Sequence, residues 1–164
     1  MFTIRTAQMS DLDAVTEIEA ACFPAAEAAS RQSMASRLAA FPAHFYIAEQ
    51  NGTPIGFVNG SVGNSTVIED EMYENAALHN PHGAWQMVFG LDVLPAHRHT
   101  GVAHALMQRL IEDARVQGRA GVVLTCKEHL IGFYEQFGFC CKGTSASVHG
   151  GAIWYDMRLT FAAE

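Results

Sequence analysis

The residues with the clearest chemistry stand together at Arg98-His99-Thr100-Gly101-Val102-Ala103, between an apolar run and an amphipathic one. A helix starting near Gly101 directs unpaired N–H groups and a partial positive charge at whatever precedes it, which suits a pyrophosphate. Gly101 lets the backbone approach a ligand closely, Arg98 adds a fixed positive charge, and Ala103 keeps the first turn slim. An ordinary helix start, with Gly101 serving only the turn, is the other reading of the same residues. The stretch is neither a Walker A loop nor a dinucleotide fingerprint, since GxxxxGK(S/T) and GxGxxG are both missing. His97, His99 and His104 have a spacing that invites a metal, but no carboxylate or cysteine lies at matching spacing. The expectation is therefore no metal, with His97 and His99 beside the anion, mostly neutral at pH 7.

Other reactive side chains offer less. Cys22, Cys126, Cys140 and Cys141 form no CxxC pair and no disulfide framework. Alternation along a strand predicts one of Cys140 and Cys141 in the core and the other exposed. Tyr134 lies in a short apolar helix, where a tyrosine is either a packed amphipathic side chain or a proton donor.

The elements that must position these residues can be read along the chain. Phe2 to Thr6 alternates like a first strand, and Ser10 stands where a helix N-cap belongs, with Leu12, Val15 and Ile18 at helical spacing. A second helix runs from about Ser30 to Phe41-Pro42. His44 to Glu49 and Pro54 to Val62 flank Asn51-Gly52, a strong hairpin signal. A polar stretch from Gly63 to Gly83 holds at most a short helix near Glu69 to Asn75. Trp85 to Val93 reads as an apolar strand, whose alternation puts Trp85, Met87, Phe89 and Leu91 on one face. Gly101 to Gln117 is an amphipathic helix with Gly118 as its C-cap, Ala120 to Cys126 a buried strand, and Leu130 to Phe137 a short helix. Strands at about Phe139 to Val148 and Ala152 to Leu159 meet at His149-Gly150-Gly151. The order βααββ-βαβαββ predicts an α/β (α+β) fold with a mixed sheet flanked by helices.

Size and composition fit that picture. The 164 residues suit one domain, residues 1–164, and 49% apolar content excludes a disordered, collagen-like or coiled-coil chain. No apolar run approaches the roughly 18 residues that span a bilayer, and MFTIRTAQMSDLDAV lacks the order of a signal peptide. A soluble, cytoplasmic protein with no membrane partner is expected. The formal charge of −7 disfavours nucleic acid and tolerates a cationic substrate.

Arg98-His99-Thr100-Gly101-Val102-Ala103 resembles the (R/Q)-x-x-G-x-(G/A) loop of the GNAT acetyltransferases. Leu91-Asp92-Val93 looks like the strand that holds the pantetheine arm in that family. Downstream, Cys126 to Phe139 resembles the family's A-x-x-FYxxxGF segment, and the element order agrees over most of the chain. Cys22-Phe23-Pro24, Leu130 to Phe137 and Gly151 to Leu159 resemble the serotonin (arylalkylamine) N-acetyltransferase-like branch.

The resemblance implies a direct transfer of acetyl from acetyl-CoA to an amine. Leu91, Asp92, Val93, Arg98, His99, Thr100, Gly101, Val102, Ala103 and His104 would hold the cosubstrate, with backbone N–H near Val93 polarising the thioester carbonyl. Tyr134 occupies the family's catalytic tyrosine position, as general acid for the departing thiolate. Phe23 and Pro24 resemble the loop that closes over the amine, and Trp85, Met87 and Phe89 would form an apolar acceptor wall. The animal branch carries a pair of histidines at alternate positions of the central strand, where this chain has Met87 and Phe89. The base is therefore open among His79, His82, Asp92, Glu69, Asp70, Glu71 and a water chain. A small arylalkylamine- or polyamine-like acceptor is expected. Acetylation of a protein N-terminus or lysine, and a non-catalytic acyl-CoA-binding module, are the alternatives. Homodimers are common among such enzymes.

Overall fold

The computed structural model describes residues 1–162. β1 (Thr3–Thr6) leads through a single 3-10 turn into α1 (Leu12–Cys22), and α2 (Arg31–Ala40) follows. The N-cap position of α1 falls to Asp11, not Ser10. Asp11 is tied down by Arg5 at 2.8 Å and by the Gln8 N–H, whereas Ser10 is exposed. Ser30 does cap α2, its hydroxyl accepting from the Ser33 N–H. β2 (Phe45–Gln50) and β3 (Thr53–Asn59) form the expected hairpin, with Asn51 and Gly52 both at positive φ.

A short β4 (Val62–Gly63) and α3 (Asp70–Glu74) precede β5 (Trp85–Val88) and β6 (Gly90–Val93). Then come α4 (Val102–Val116), β7 (Gly121–Cys126), α5 (Ile131–Glu135), β8 (Cys140–Thr144) and β9 (Tyr155–Thr160). The strands form two blocks, β1-β2-β3-β6 and β4-β5-β7-β9-β8. Among the described residues, only β5 and β7 pair in parallel. This is the mixed sheet with flanking helices that the element order predicts.

The two blocks are one chain apart at Phe89. The run from Trp85 to Val93 is broken there, so β5 pairs with β7 while β6 pairs with β3. β7 continues past the break, where Thr125 and Cys126 pair with β9. The sheet therefore opens as a wedge between β6 and the end of β7. The break also overrides the strict alternation expected along this run. Met87 packs with Ile68 and Val123, whereas Leu91 packs on the opposite cluster around Val88 and Leu106. One extra residue at Phe89-Gly90 reverses the face of everything after it.

Each face of the sheet has its own core. Val102, Leu106, Leu110 and Ala114 of α4 pack on Val58, Val88, Val122 and Leu124. Val15 and Ile18 of α1 join Met34 and Leu38 of α2 against Phe45, Ile47 and Phe57 on the other side. The C-terminal hairpin differs from expectation. β8 is an edge strand with every residue exposed, so Cys140 and Cys141 both face solvent. The register shift after Cys141 and the positive φ of Gly143 break the alternation that would have buried one of them. His149-Gly150-Gly151 forms a 3-10 turn inside a longer connection and not a tight hairpin turn.

Candidate active site

The wedge is lined by two cavities that meet at one tyrosine. The larger, of 560 Å³, lies against β6, the loop before α4 and the start of α4. Its walls include Leu91, Asp92, Val93, Arg98, His99, Gly101, Val102, Ala103 and His104. Nine of the ten residues expected to hold a cosubstrate are thus together, and Thr100 instead turns its hydroxyl to the His97 carbonyl. Gly101 is the N-cap residue of α4 at φ +87°, a left-handed conformation that L side chains rarely adopt. Among the described residues no side chain caps the helix, so its first N–H groups are open toward the cavity. Arg98 Nε donates to the Val93 carbonyl at 3.2 Å, which anchors the loop to β6 while the guanidinium stays exposed. Strand alternation turns the Leu91 and Val93 N–H groups away from β3 and toward the wedge, since Leu94 N–H donates to Ile55 on the other side. This donor set fits an acyl-CoA: a helix N-terminus for pyrophosphate and a strand edge for an amide-rich arm.

The smaller cavity, of 310 Å³, continues past the wedge under the α1–α2 connection. Phe23, Tyr73, Phe89, His149 and Trp154 bring aromatic rings to its walls, beside the charged side chains of Glu19, Glu27 and Arg37. Five residues border both spaces: Phe23, Leu91, Leu130, Tyr134 and Trp154. Pro24 faces only the larger one. Trp85 and Met87 do not reach the smaller cavity; Met87 is buried under Ile68 and Val123, and Trp85 lies by Gly121 and Arg158. The break at Phe89 leaves that one residue of the expected apolar wall in place.

Tyr134 is buried and packs edge-on against Phe133 and Phe139, with centroids 5.1 Å and 5.9 Å away. Burial pushes its phenol up, so it carries its proton at neutral pH. Cys126, in the wall of the smaller cavity, is pushed up to about 12 by burial and is a poor nucleophile.

The roof of the smaller cavity is a polar network that no sequence motif announced. The Tyr73 and Thr125 hydroxyls share a 2.6 Å hydrogen bond, and Tyr73 stacks on His149. His149 Nε2 donates to the Glu27 carbonyl at 2.7 Å, and Trp154 Nε1 donates to the His149 carbonyl at 2.9 Å. Lys127 pairs with the Glu27 carboxylate at 2.8 Å and lies over the Trp154 ring. Asp70 receives the Ser147 hydroxyl and the Val148 N–H, which pins the β8–β9 connection in place. Of the residues considered as bases, Asp70 is therefore a structural tie, and His79 accepts from the Val62 N–H through Nδ1. His82, Glu69 and Glu71 are exposed and absent from both cavity walls, while Asp92 is buried. Among the described residues, no group of three or more His, Cys, Asp or Glu is arranged to hold a metal ion.

Residues 12–139 match the model of the acetyltransferase (GNAT) family. The chain belongs to that family. Solved structures agree in fold. The GphF GNAT-like decarboxylase in complex with isobutyryl-CoA is 24% identical over 96% of this chain and 98% of that one, with a TM-score of 0.83. The yncA putative acetyltransferase from Salmonella typhimurium, solved with acetyl-CoA, is 20% identical over 100% and 96%, at a TM-score of 0.73. The PaiA N-acetyltransferase from Thermoplasma acidophilum, in complex with coenzyme A, is 14% identical over 98% and 99%, also at 0.73. This GNAT acetyltransferase has, among its described residues, no helix long and apolar enough to cross a membrane.

Proposed function

We propose that this chain transfers acetyl from acetyl-CoA directly to the primary amine of a small molecule, arylalkylamine- or polyamine-like. The observation that carries the reading is the meeting of the two cavities at Tyr134. Acetyl-CoA in the larger space would bring its thioester to the junction, where an amine in the smaller one can reach it without a covalent enzyme intermediate. The α4 N-terminus and Arg98 hold the pyrophosphate, and the edge of β6 holds the pantetheine and polarises the carbonyl. The amine attacks the carbonyl carbon, the C–S bond breaks, and the Tyr134 hydroxyl gives its proton to the sulfur. A volume of 310 Å³ under a pinned roof suits a small acceptor, and its aromatic rings suit an arylalkyl group or a cation. The same pinned roof argues against a protein N-terminus or lysine as acceptor.

Thiol release from acetyl-CoA, measured across arylalkylamines, polyamines and short peptides, tests this reading. Turnover with small amines that falls about 10²-fold or more in Tyr134→Phe, with acetyl-CoA affinity retained, is the expected result. Release with peptides only would move the acceptor to a protein, and CoA binding without turnover would leave a binding module.

One observation favours a second reading. The smaller cavity also reaches the buried guanidinium of Arg37, whose Nε has no hydrogen-bond partner. Such a donor suits a carboxylate on the acyl group, and the GphF relative is a decarboxylase. Loss of carbon dioxide from a carboxyl-bearing acyl-CoA, with no amine present, would support that reading over acetylation.

A further inference from the structure

The wall between α1 and β6 holds polar atoms that the transfer as described leaves unused. Asp92 is 1% exposed, and among the described residues neither of its carboxylate oxygens has a hydrogen-bond partner. In the same layer Asn59 Nδ2 and Arg37 Nε are also without one. Buried polar atoms are almost always satisfied, so this group marks a place where something else binds or passes.

Two of these side chains, Asp92 and Asn59, meet beside Gly90. A methyl group on its Cα would stand 3.2 Å from Asp92 Oδ1, 3.7 Å from Asn59 Nδ2 and 3.8 Å from Glu19 Oε1. Glu19 is buried and held by the Ala29 N–H, which donates to its Oε2 at 2.8 Å. That bond leaves Oε1 as the oxygen nearest Gly90. Glu19 and Gly90 both line the acceptor cavity. The missing side chain of Gly90 is therefore an opening from the cavity to the carboxylates behind it.

We propose that Glu19 and Asp92 act as a pair that accepts the proton of the incoming ammonium through the gap at Gly90. This deepens the amine-acetylating reading above and rests on it. The ammonium N–H bond breaks and its proton passes to the pair, leaving a neutral amine whose lone pair forms the new C–N bond. As the C–S bond breaks, the sulfur takes the Tyr134 proton. The second proton on nitrogen then restores the phenol, so one proton in total leaves through the pair. The groups facing Asp92 are Glu19 and Cys22 from α1, Arg37 from α2 and Tyr134 from α5. Burial, with Glu19 and Cys22 adding to it and Arg37 opposing, holds the Asp92 carboxyl well above the usual carboxylate range. A base poised nearer neutral pH than a free carboxylate is better matched to an ammonium.

The pair is tested by following kcat/KM for 2-phenylethylamine from about pH 6 to about pH 10 in wild type, Asp92→Asn, Glu19→Gln and Gly90→Ala. Asp92→Asn should lower kcat/KM about 10²-fold at neutral pH. Its activity should recover toward alkaline pH, where the amine loses its proton unaided. Glu19→Gln should act in the same direction, and Gly90→Ala should lower activity with both carboxyls intact. Activity in Asp92→Asn within about twofold of wild type, or a loss equal at every pH, overturns the proposal. Should Asp92→Asn fail to fold, Gly90→Ala carries the same pH test. A wild type that acetylates no amine removes the acceptor reading instead. The pair is then read by carbon-13 NMR of its carboxyls in the CoA-bound protein. An Asp92 carboxyl that takes up its proton above the usual carboxylate range supports it, and ordinary titration of that carboxyl overturns it.

Discussion

The two cavities that meet at Tyr134 are built from different materials. The larger one presents main-chain groups to a ligand: the open N–H groups of α4, the free edge of β6 and the left-handed turn at Gly101. The smaller one is mostly side chain, assembled from α1, α2, α3, the end of β7 and the β8–β9 connection. A cosubstrate shared by a whole family can be held by backbone, which one short run of sequence supplies. An acceptor that differs from member to member is held by side chains, which can change one at a time without disturbing the wedge.

The largest effect confined to one cavity is expected at Gly101. A β-branched side chain at φ +87° is strained by more than about 1 kcal/mol even though no protein atom lies within 4 Å of its Cβ. Gly101→Val should therefore either distort the loop or place methyl groups where a ligand approaches. We expect acetyl-CoA affinity, measured by calorimetry, to fall about tenfold or more, with the KM for the amine nearly unchanged. Equal loss for both substrates would show that the two cavities are not separately built.

A smaller effect should arise at the roof, on the opposite side of the comparison. Lys127 and Glu27 join the end of β7 to the α1–α2 connection, and the Lys127 side chain is 33% exposed. Partly exposed ion pairs are weak. Lys127→Met should raise the amine KM about threefold and leave acetyl-CoA affinity within error, by steady-state kinetics with each substrate varied in turn. A larger change in acetyl-CoA affinity would mean that Lys127, which also borders the larger cavity, serves the cosubstrate.

The same contrast governs what could be read from the amino-acid order. The cosubstrate side was legible because its parts are contiguous, from Leu91 to His104, and because a strand, a tight loop and a helix start are local structure. Tyr134 was legible through its neighbours. The acceptor side was not, since Tyr73, Thr125, His149 and Trp154 come together only through tertiary packing, and each is an ordinary residue in its own segment. The break at Phe89 was hidden for a related reason. Gly90 is the only local sign of a bulge, and its effect is to send Leu91 to the face opposite Met87, which leaves Met87 in the core. Glu19 and Asp92 lie on different elements, and nothing in their own segments marks them as neighbours.

The mildest test concerns how the acceptor wall is supported from behind. Phe89 packs edge-on against Phe41, Phe41 against His79, and His79 against His44. His44 Nδ1 donates to the Gln86 side-chain oxygen at 2.9 Å, and burial pushes its pKa down to about 4. A histidine lowered from about 6.5 in the unfolded chain costs nothing above that pH, because both states are then neutral. Between about 6.5 and about 4 the unfolded state binds the proton first, so stability falls as pH falls through that window. His79 is lowered by burial in the same sense. Neither ring borders the larger cavity. Thermal unfolding and ligand binding followed from about pH 7 to about pH 4.5 should show a falling midpoint, with protection of the Phe89 wall against hydrogen exchange lost before that of the α4 N-terminus. His44→Gln should flatten the pH slope of the midpoint and delay the loss at Phe89. If α4 loosens first, or together with Phe89, the two halves of the site share one support and the contrast between them does not extend to their stability.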